Sequence, residues 1–193
     1  MNYLQERRRL GGKDMETNCK LVDYGIFTEQ SDIRVHVGPK AQTVYVYRTS
    51  AMCEFVELNK YKYETKTASQ PGYSQPTALG YCIPITDIPF IRKLNFKSYN
   101  WQSFPPVTAS TSEKGAAAVN VVCELLRMGR FPLWVDNATE SDSKTIQISG
   151  TDIIVTGKHR IQVKCDYPAA PREQGGSGNL YIQIKERNPF GMH

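Results

Sequence analysis

Residues 112–129, SEKGAAAVNVVCELLRMG, are the one long stretch of this chain with helical periodicity. Val119, Val122, Cys123, Leu125 and Leu126 make a broad apolar face, and the three alanines favour a helix. Ser112 is the expected cap, Glu113 suits a helix N-terminus, and Gly129 is the expected stop. The flanking sequence reads as strands. FPLWV (131–135), KTIQIS (144–149, a strand or a sheet edge), a hairpin over 150–166 and LYIQIKE (180–186) follow the helix, separated by polar DNATESDS (136–143) and loop-forming REQGGSGN (172–179). Helix, strand, hairpin and strand imply an α+β or α/β core with a mixed sheet.

The N-terminal half is also rich in β-patterns. IRVHV (33–37) and TVYVYR (43–48) flank the turn GPK (38–40). TSAMCEFVEL (49–58) predicts a short helix, capped by Thr49 or Ser50, with Met52, Phe55 and Val56 on one face. KYKYETK (60–66) alternates, and ASQPGYSQPTALG (68–80) and WQSFPPVTAST (101–111) read as loops. YCIPITDIPFIRKL (81–94) reads as a short strand, then a turn or helix start at Thr86–Pro89. Residues 1–20 are polar, and Arg7, Arg8 and Arg9 read as a solvated tail or a phosphate contact.

Net charge is +5, compatible with a polyanionic partner but also ordinary for a protein that binds none. Cys19, Cys53, Cys82, Cys123 and Cys165 are odd in number and lack CxxC spacing, which argues against a zinc site and a disulfide framework. Reduced thiols in a cytoplasmic protein are the expectation. No segment has the apolar run of a membrane helix or signal peptide.

The hairpin GTDIIVTGKHRIQVKCD (150–166) carries the candidate chemistry. If Thr156-Gly157-Lys158 is the turn, Val155 pairs with His159 and Asp152 falls opposite Gln162. Gln162 and Lys164 then share a face with Asp152, while Ile161 and Val163 share the other. A two-residue turn would shift the register and separate them. Magnesium prefers oxygen ligands. Asp152, the Gln162 carbonyl and the backbone carbonyl of Val163 could supply them, with Lys164 beside the ion to hold an attacking water or offset phosphate charge. By itself D-x9-Q-x-K is weak, since polar-faced hairpins are common on surfaces.

The succession EKGAAAVNVVCELLRMGRFPLWV, GTDII and HRIQVK resembles the PD-(D/E)xK nuclease superfamily, over about residues 112–186. It looks most like small members related to archaeal Holliday-junction resolvases and to some homing and restriction endonucleases. The matching positions are Lys114-Gly115, Asp152 and Gln162-Val163-Lys164. The resemblance implies a restriction-endonuclease-like mixed central sheet flanked by helices, and a DNA endonuclease using Mg2+ or Mn2+. It also implies a homodimer, because cutting both strands usually takes two sites. Two departures stand out. The family often has a glutamate about one turn after the KG pair, where this chain has Ala118 and Val119; Glu113 is the expected substitute, or merely a helix N-terminal charge. The layer that normally follows the Q-x-K strand is missing after LYIQIKERNPFG. Residues 1–111 supply paired strands and a short helix, so a circular permutation in which they complete the core of 112–193 is expected. A separate recognition module is the alternative, and a non-catalytic nuclease-fold binding or assembly protein is the alternative function.

Lys114, Lys158, Arg160, Arg172, Lys185 and Arg187 are candidate DNA contacts, weighed against plain surface charge. His36 and His159 have no second histidine or nucleophile pattern near them to suggest a triad. Tyr45, Tyr47, Tyr61 and Tyr63 alternate as a sheet face would, and GGSG (175–178) reads as a flexible loop.

Overall fold

The structure, a computed structural model, describes residues 21–23, 25–68, 76–131, 138–140, 152–155, 159–170 and 172–187. Among these run β1 (Leu21–Asp23), β2 (Ile33–Gly38), β3 (Thr43–Arg48), α1 (Thr49–Asn59), β4 (Thr65–Ala68), β5 (Ala78–Pro84) and β6 (Arg92–Asn95). After them come α2 (Thr111–Arg127), β7 (Ala138–Glu140), β8 (Ile153–Val155), β9 (His159–Cys165) and β10 (Asn179–Arg187). Among the described residues the arrangement is α+β with a mixed sheet and two α-helices. No helix among the described residues is long and apolar enough to cross a membrane.

A six-stranded sheet has the order β6-β3-β2-β9-β8-β7, and a four-stranded sheet the order β1-β10-β5-β4. In the larger sheet β2 and β9 run parallel, Ile33 opposite Ile161 through Val37 opposite Cys165. The other pairings are antiparallel. Strands from the two halves of the chain therefore share one sheet. They also share a core: Ile33, Val35, Val37, Val44 and Val46 pack with Ile153, Ile161, Val163 and the buried face of α2. Each such aliphatic side chain contributes about 1.5–3 kcal/mol when fully buried.

The opposite face of β3 carries Tyr45 and Tyr47. They form a second core with Met52 and Val56 of α1, Ile83 of β5, and Leu180 and Ile182 of β10. Because both faces are covered, all six residues of β2 are buried. Alternation along β2 and β9 then aims Arg34, His36, Gln162 and Lys164 at the second layer, with Arg34 opposite Gln162 and His36 opposite Lys164.

Helix α2 starts earlier than its apolar pattern suggests. Ser110, not Ser112, is the cap. Its Oγ accepts from the Glu113 amide at 3.2 Å, and the Ser110 amide donates to Glu113 Oε2 at 2.9 Å. This reciprocal box outcompetes a cap one half-turn later, because it satisfies two backbone donors at once. The expected stop is present: Gly129 is left-handed at φ 63°, with Gly129 N–H donating to Leu126 O and Arg130 N–H to Leu125 O. Helix α1 begins at Thr49 itself, with no side-chain cap, and the Thr49 amide donates to Asp32 O at 3.0 Å instead.

Two short strands depart from expectation. β6 lies beyond the turn expected at Thr86–Pro89, paired to β3, and β7 lies inside the polar run 136–143, paired to β8. Both owe their conformation to the neighbouring strand rather than to their own alternation. Tyr61, at 93% exposure, lies in the turn after α1, so the four tyrosines do not share a sheet face. The strand expected over 131–135 lies outside the described residues from 132 on, as do the one expected over 144–149, the turn Thr156–Lys158 and residues 1–20.

Candidate active site

The register of the hairpin is the expected one. Val155 pairs with His159, Ile154 with Arg160 and Ile153 with Ile161. The pairing ends at Ile153, and Asp152 lies just before it. The Asp152 amide donates to Ile161 O at 3.0 Å, and its carboxylate Oδ2 accepts the Val163 amide at 2.7 Å. The side chain thus continues the ladder where β8 has ended. Within a strand the N–H and C=O of one residue share a side, so the Val163 carbonyl is directed to the same edge as Asp152.

A second carboxylate joins this group, from a stretch with no regular pattern. Glu29 precedes β2, and its side chain is 3% exposed. The segment carrying it is clamped to the hairpin. Asp32 N–H donates to Arg160 O at 2.9 Å, and the Arg160 amide donates to Asp32 Oδ2 at 2.8 Å. Ser31 Oγ donates to Glu29 Oε1 and also lies 3.2 Å from Thr49 Oγ1.

Gln162 links the acid to the amine. Its orientation follows from its neighbours: with the amide nitrogen toward Glu29 it donates to Oε2 at 2.6 Å and Oε1 at 2.5 Å. Its oxygen then accepts from Lys164 Nζ at 3.0 Å. The opposite orientation faces acceptor with acceptor and donor with donor. Arg34 completes the cluster, its Nη1 3.2 Å from Glu29 Oε2, the two side chains 2% and 3% exposed. That contact is an ion pair without hydrogen-bond alignment, because Arg34 Nε and Nη1 make no hydrogen bond among the described residues.

The electrostatics are those of a crowded, partly dry site. Burial pushes the Asp152 carboxyl up, opposed by the Val163 amide, Lys164 and Arg34. Burial also pushes Glu29 up, opposed by Arg34, Ser31 and Lys164, while Asp152 pushes it further. Lys164 is lowered by burial and by Arg34, and drawn back by Asp152, Glu29 and Glu186. Two desolvated carboxylates, two cations and a bridging amide are thus gathered beside β9. A cleft of about 380 Å3, lined by Glu29, Ser31, Asp32, Arg48, Thr49 and His159, gives access to Glu29.

Glu113, the expected substitute for the helix glutamate, is exposed and held in the Ser110 capping box, whose hydrogen bonds lower its carboxyl pKa. The acid standing beside Asp152 and Lys164 is Glu29. No periodicity marks it; the only cue in the sequence was the absence of a glutamate at 118 and 119.

Of the candidate DNA contacts, Lys114 Nζ donates to Val107 O at 3.0 Å and sits 5.9 Å from the Tyr167 ring centre. Arg160 Nη1 donates to Gln30 Oε1 at 3.2 Å, and Lys185 pairs with Asp23 at 3.4 Å. Arg172 is exposed in a short 3-10 turn. Lys158 and the Arg187 side chain lie outside the described residues.

His36 has partners that the sequence did not reveal. Its Nδ1 is 3.1 Å from Asp166 Oδ2 and its Nε2 is 2.9 Å from the Tyr47 Oη, with the ring 1% exposed. A carboxylate only accepts, so Nδ1 carries the proton and Nε2 accepts from the Tyr47 hydroxyl. Both nitrogens are engaged, so the ring serves structure rather than ligation. Burial lowers its pKa from the ordinary 6.5, the Asp166 hydrogen bond partly opposing. With the folded-state value depressed, the contribution is fully present above about pH 6.5 and is lost as pH falls toward the folded value. In urea unfolding, the wild type is expected to lose more stability than His36→Asn between about pH 7 and pH 5. Parallel losses would place the acid sensitivity elsewhere.

Among the described residues no three His, Cys, Asp or Glu side chains group as metal ligands; the cluster offers two carboxylates, with amide and backbone oxygens beside them. Compared with protein-family models, curated proteins and solved structures, the chain matches none of them.

Proposed function

We propose that this chain is a magnesium- or manganese-dependent DNA endonuclease that hydrolyses phosphodiester bonds, on a circularly permuted restriction-endonuclease-like core. The observation that carries the reading is the meeting of Asp152, at the edge of β9 beyond the end of β8, with Glu29, Gln162 and Lys164. The parallel β2–β9 pairing supports the permutation, since a strand from the N-terminal half lies beside the Q-x-K strand.

The donor set fits a hard, oxygen-seeking cation. Asp152 and Glu29 are both raised by burial, and Asp152 raises Glu29, so a divalent ion between them would relieve repulsion as well as bind. His36 is engaged at both nitrogens, and burial pushes the Cys165 thiol up to about 12, so neither favours a softer metal at this site. Asp152, Glu29 and the Val163 carbonyl would hold the ion. Gln162 could join them only by turning its amide away from Glu29 and Lys164. When bound, the ion supplies Lewis-acid stabilisation of phosphate charge and a more acidic water. Lys164 orients a water at the phosphate or donates to a phosphate oxygen, and its lowered pKa favours the first task. Asp152, fixed by the Val163 amide, keeps one oxygen in place for the ion. DNA is the expected partner, a homodimer the expected assembly and the cytoplasm the expected location.

The test is plasmid nicking with magnesium or manganese. Asp152→Ala and Lys164→Ala are each expected to lower metal-dependent cleavage by at least about 100-fold, with folding checked by circular dichroism. Cleavage that persists in both variants ends the assignment. A second reading, a nuclease-fold DNA-binding or assembly protein without catalysis, is favoured by the neutral Gln162 already bonded to Glu29 and by the Arg34–Glu29 ion pair. It predicts DNA binding with no nicking of duplex, single-stranded or branched substrates.

A further inference from the structure

A second pocket adjoins the cluster between β2, β9 and β10. It measures about 220 Å3, and Arg34, His36, Lys164, Asp166, Tyr181 and Gln183 line it. Its lining charges are Arg34 and Lys164 against Asp166. Asp166 is already engaged by His36, which burial keeps neutral. Tyr181 donates its hydroxyl to Lys66 O at 3.2 Å. Arg34, 2% exposed, has its Nε without a hydrogen bond among the described residues, while Nη1, on the other edge, lies 3.2 Å from Glu29 Oε2. A buried guanidinium nitrogen with an unused donor is costly unless a water or a ligand completes it. The Nε edge of an arginine, with its neighbouring Nη, matches two oxygens of a phosphate. The volume equals that of about seven waters, and lies below the roughly 300–1,000 Å3 of drug-sized ligand pockets. It suits a phosphate group with a few waters rather than a nucleoside.

We propose that this pocket is a phosphate-binding subsite in which Arg34 is the principal donor and Lys164 the second. It adds to the nuclease reading without depending on it, because phosphate binding is measured with no cleavage step. The ligand is a phosphate monoester dianion, either free in solution or at the end of a nucleic-acid strand.

Isothermal titration of the full chain with inorganic phosphate tests the site. A parallel titration uses a short oligonucleotide with and without a 5′-phosphate. Saturable phosphate binding is expected, weakened at least about tenfold in Arg34→Lys, which keeps the charge but loses the planar donor edge. Asp166→Asn keeps the size of the side chain and removes the one opposing lining charge, so it is expected to tighten binding by about threefold or more. A gain of that kind cannot come from misfolding. Preference for the 5′-phosphorylated oligonucleotide would assign the pocket to strand ends, and equal affinity with and without the 5′-phosphate, alongside tight inorganic phosphate binding, to the free ion; either supports the subsite. The proposal fails if the wild type binds no phosphate, or if Arg34→Lys and Asp166→Asn both leave the affinity unchanged. Nicking measured on the same variants separates the two readings, since loss of the nuclease assignment leaves the phosphate titration standing.

Discussion

Gln162→Glu is expected to make the metal-free protein less stable and its complex with magnesium relatively more stable. In the wild type the Gln162 nitrogen lies 2.6 and 2.5 Å from the two oxygens of Glu29. A carboxylate there replaces two donated hydrogen bonds with like-charge contact. The loss of a charge-assisted bond and the added repulsion amount to about 2–4 kcal/mol at neutral pH. Two carboxyls so close cannot both ionise freely, so one pKa rises. A folded-state value raised above the unfolded one means that the penalty is present at neutral pH and fades as pH falls through the raised value. Magnesium should act in the same direction as acid, because a cation between Glu29, Asp152 and the new carboxylate offsets the repulsion. Urea unfolding with and without magnesium reads both effects through the stabilisation that ligand binding confers on the native state. A variant as stable as wild type, whatever the magnesium concentration, would mean that Gln162 does not face Glu29.

This contact also marks the boundary of what the sequence could reveal. The hairpin register follows from local rules: a three-residue turn, side chains alternating with period two, and Ile153, Ile161 and Val163 needing the apolar face. Helix α2 follows from its own apolar stripe. Its true cap was also in the sequence, as Ser110 followed by Glu113, the S-x-x-E signature. With Ser110 as the cap, Glu113 is held by its capping bonds and is not free for a catalytic part. Glu29 is different in kind. It reaches the site because β2 pairs in parallel with β9 and because Asp32 bonds to Arg160, 128 positions along the chain. No local period encodes a contact of that range. The same holds for His36, whose partner Asp166 is 130 positions away, and for β7, whose polar Ala138–Glu140 becomes a strand only beside β8. The parallel β2–β9 register also makes Arg34 a neighbour of Gln162, which turns a two-acid arrangement into one with a competing internal cation.

The Arg34–Glu29 pair is expected to show strong coupling in a double-mutant cycle of Arg34→Met, Glu29→Gln and the two together. Both side chains are nearly fully buried, so removing one leaves the other charged in a poor solvent, at a cost of about 3–5 kcal/mol. Glu29→Gln retains an acceptor for Gln162, so its cost reports mainly on the stranded Arg34. Arg34→Met removes the largest influence holding the Glu29 pKa down, so that pKa should climb further above the ordinary 4.5. The sign then follows. With the folded-state value raised, Arg34→Met regains stability as pH drops from neutral through that value, whereas Glu29→Gln, having lost the titrating group, does not. The double variant replaces the pair with a neutral amide beside a thioether, and its stability should return to within about 1–2 kcal/mol of wild type, a coupling of about 4 kcal/mol or more. Single effects that add to within about 0.5 kcal/mol would mean that the pair does not act as a unit. A folded double variant is also the sharpest test of why the charges are there. Stability restored while phosphate binding and metal-dependent nicking are both lost would mean that Arg34 and Glu29 are retained for ligands rather than for the fold.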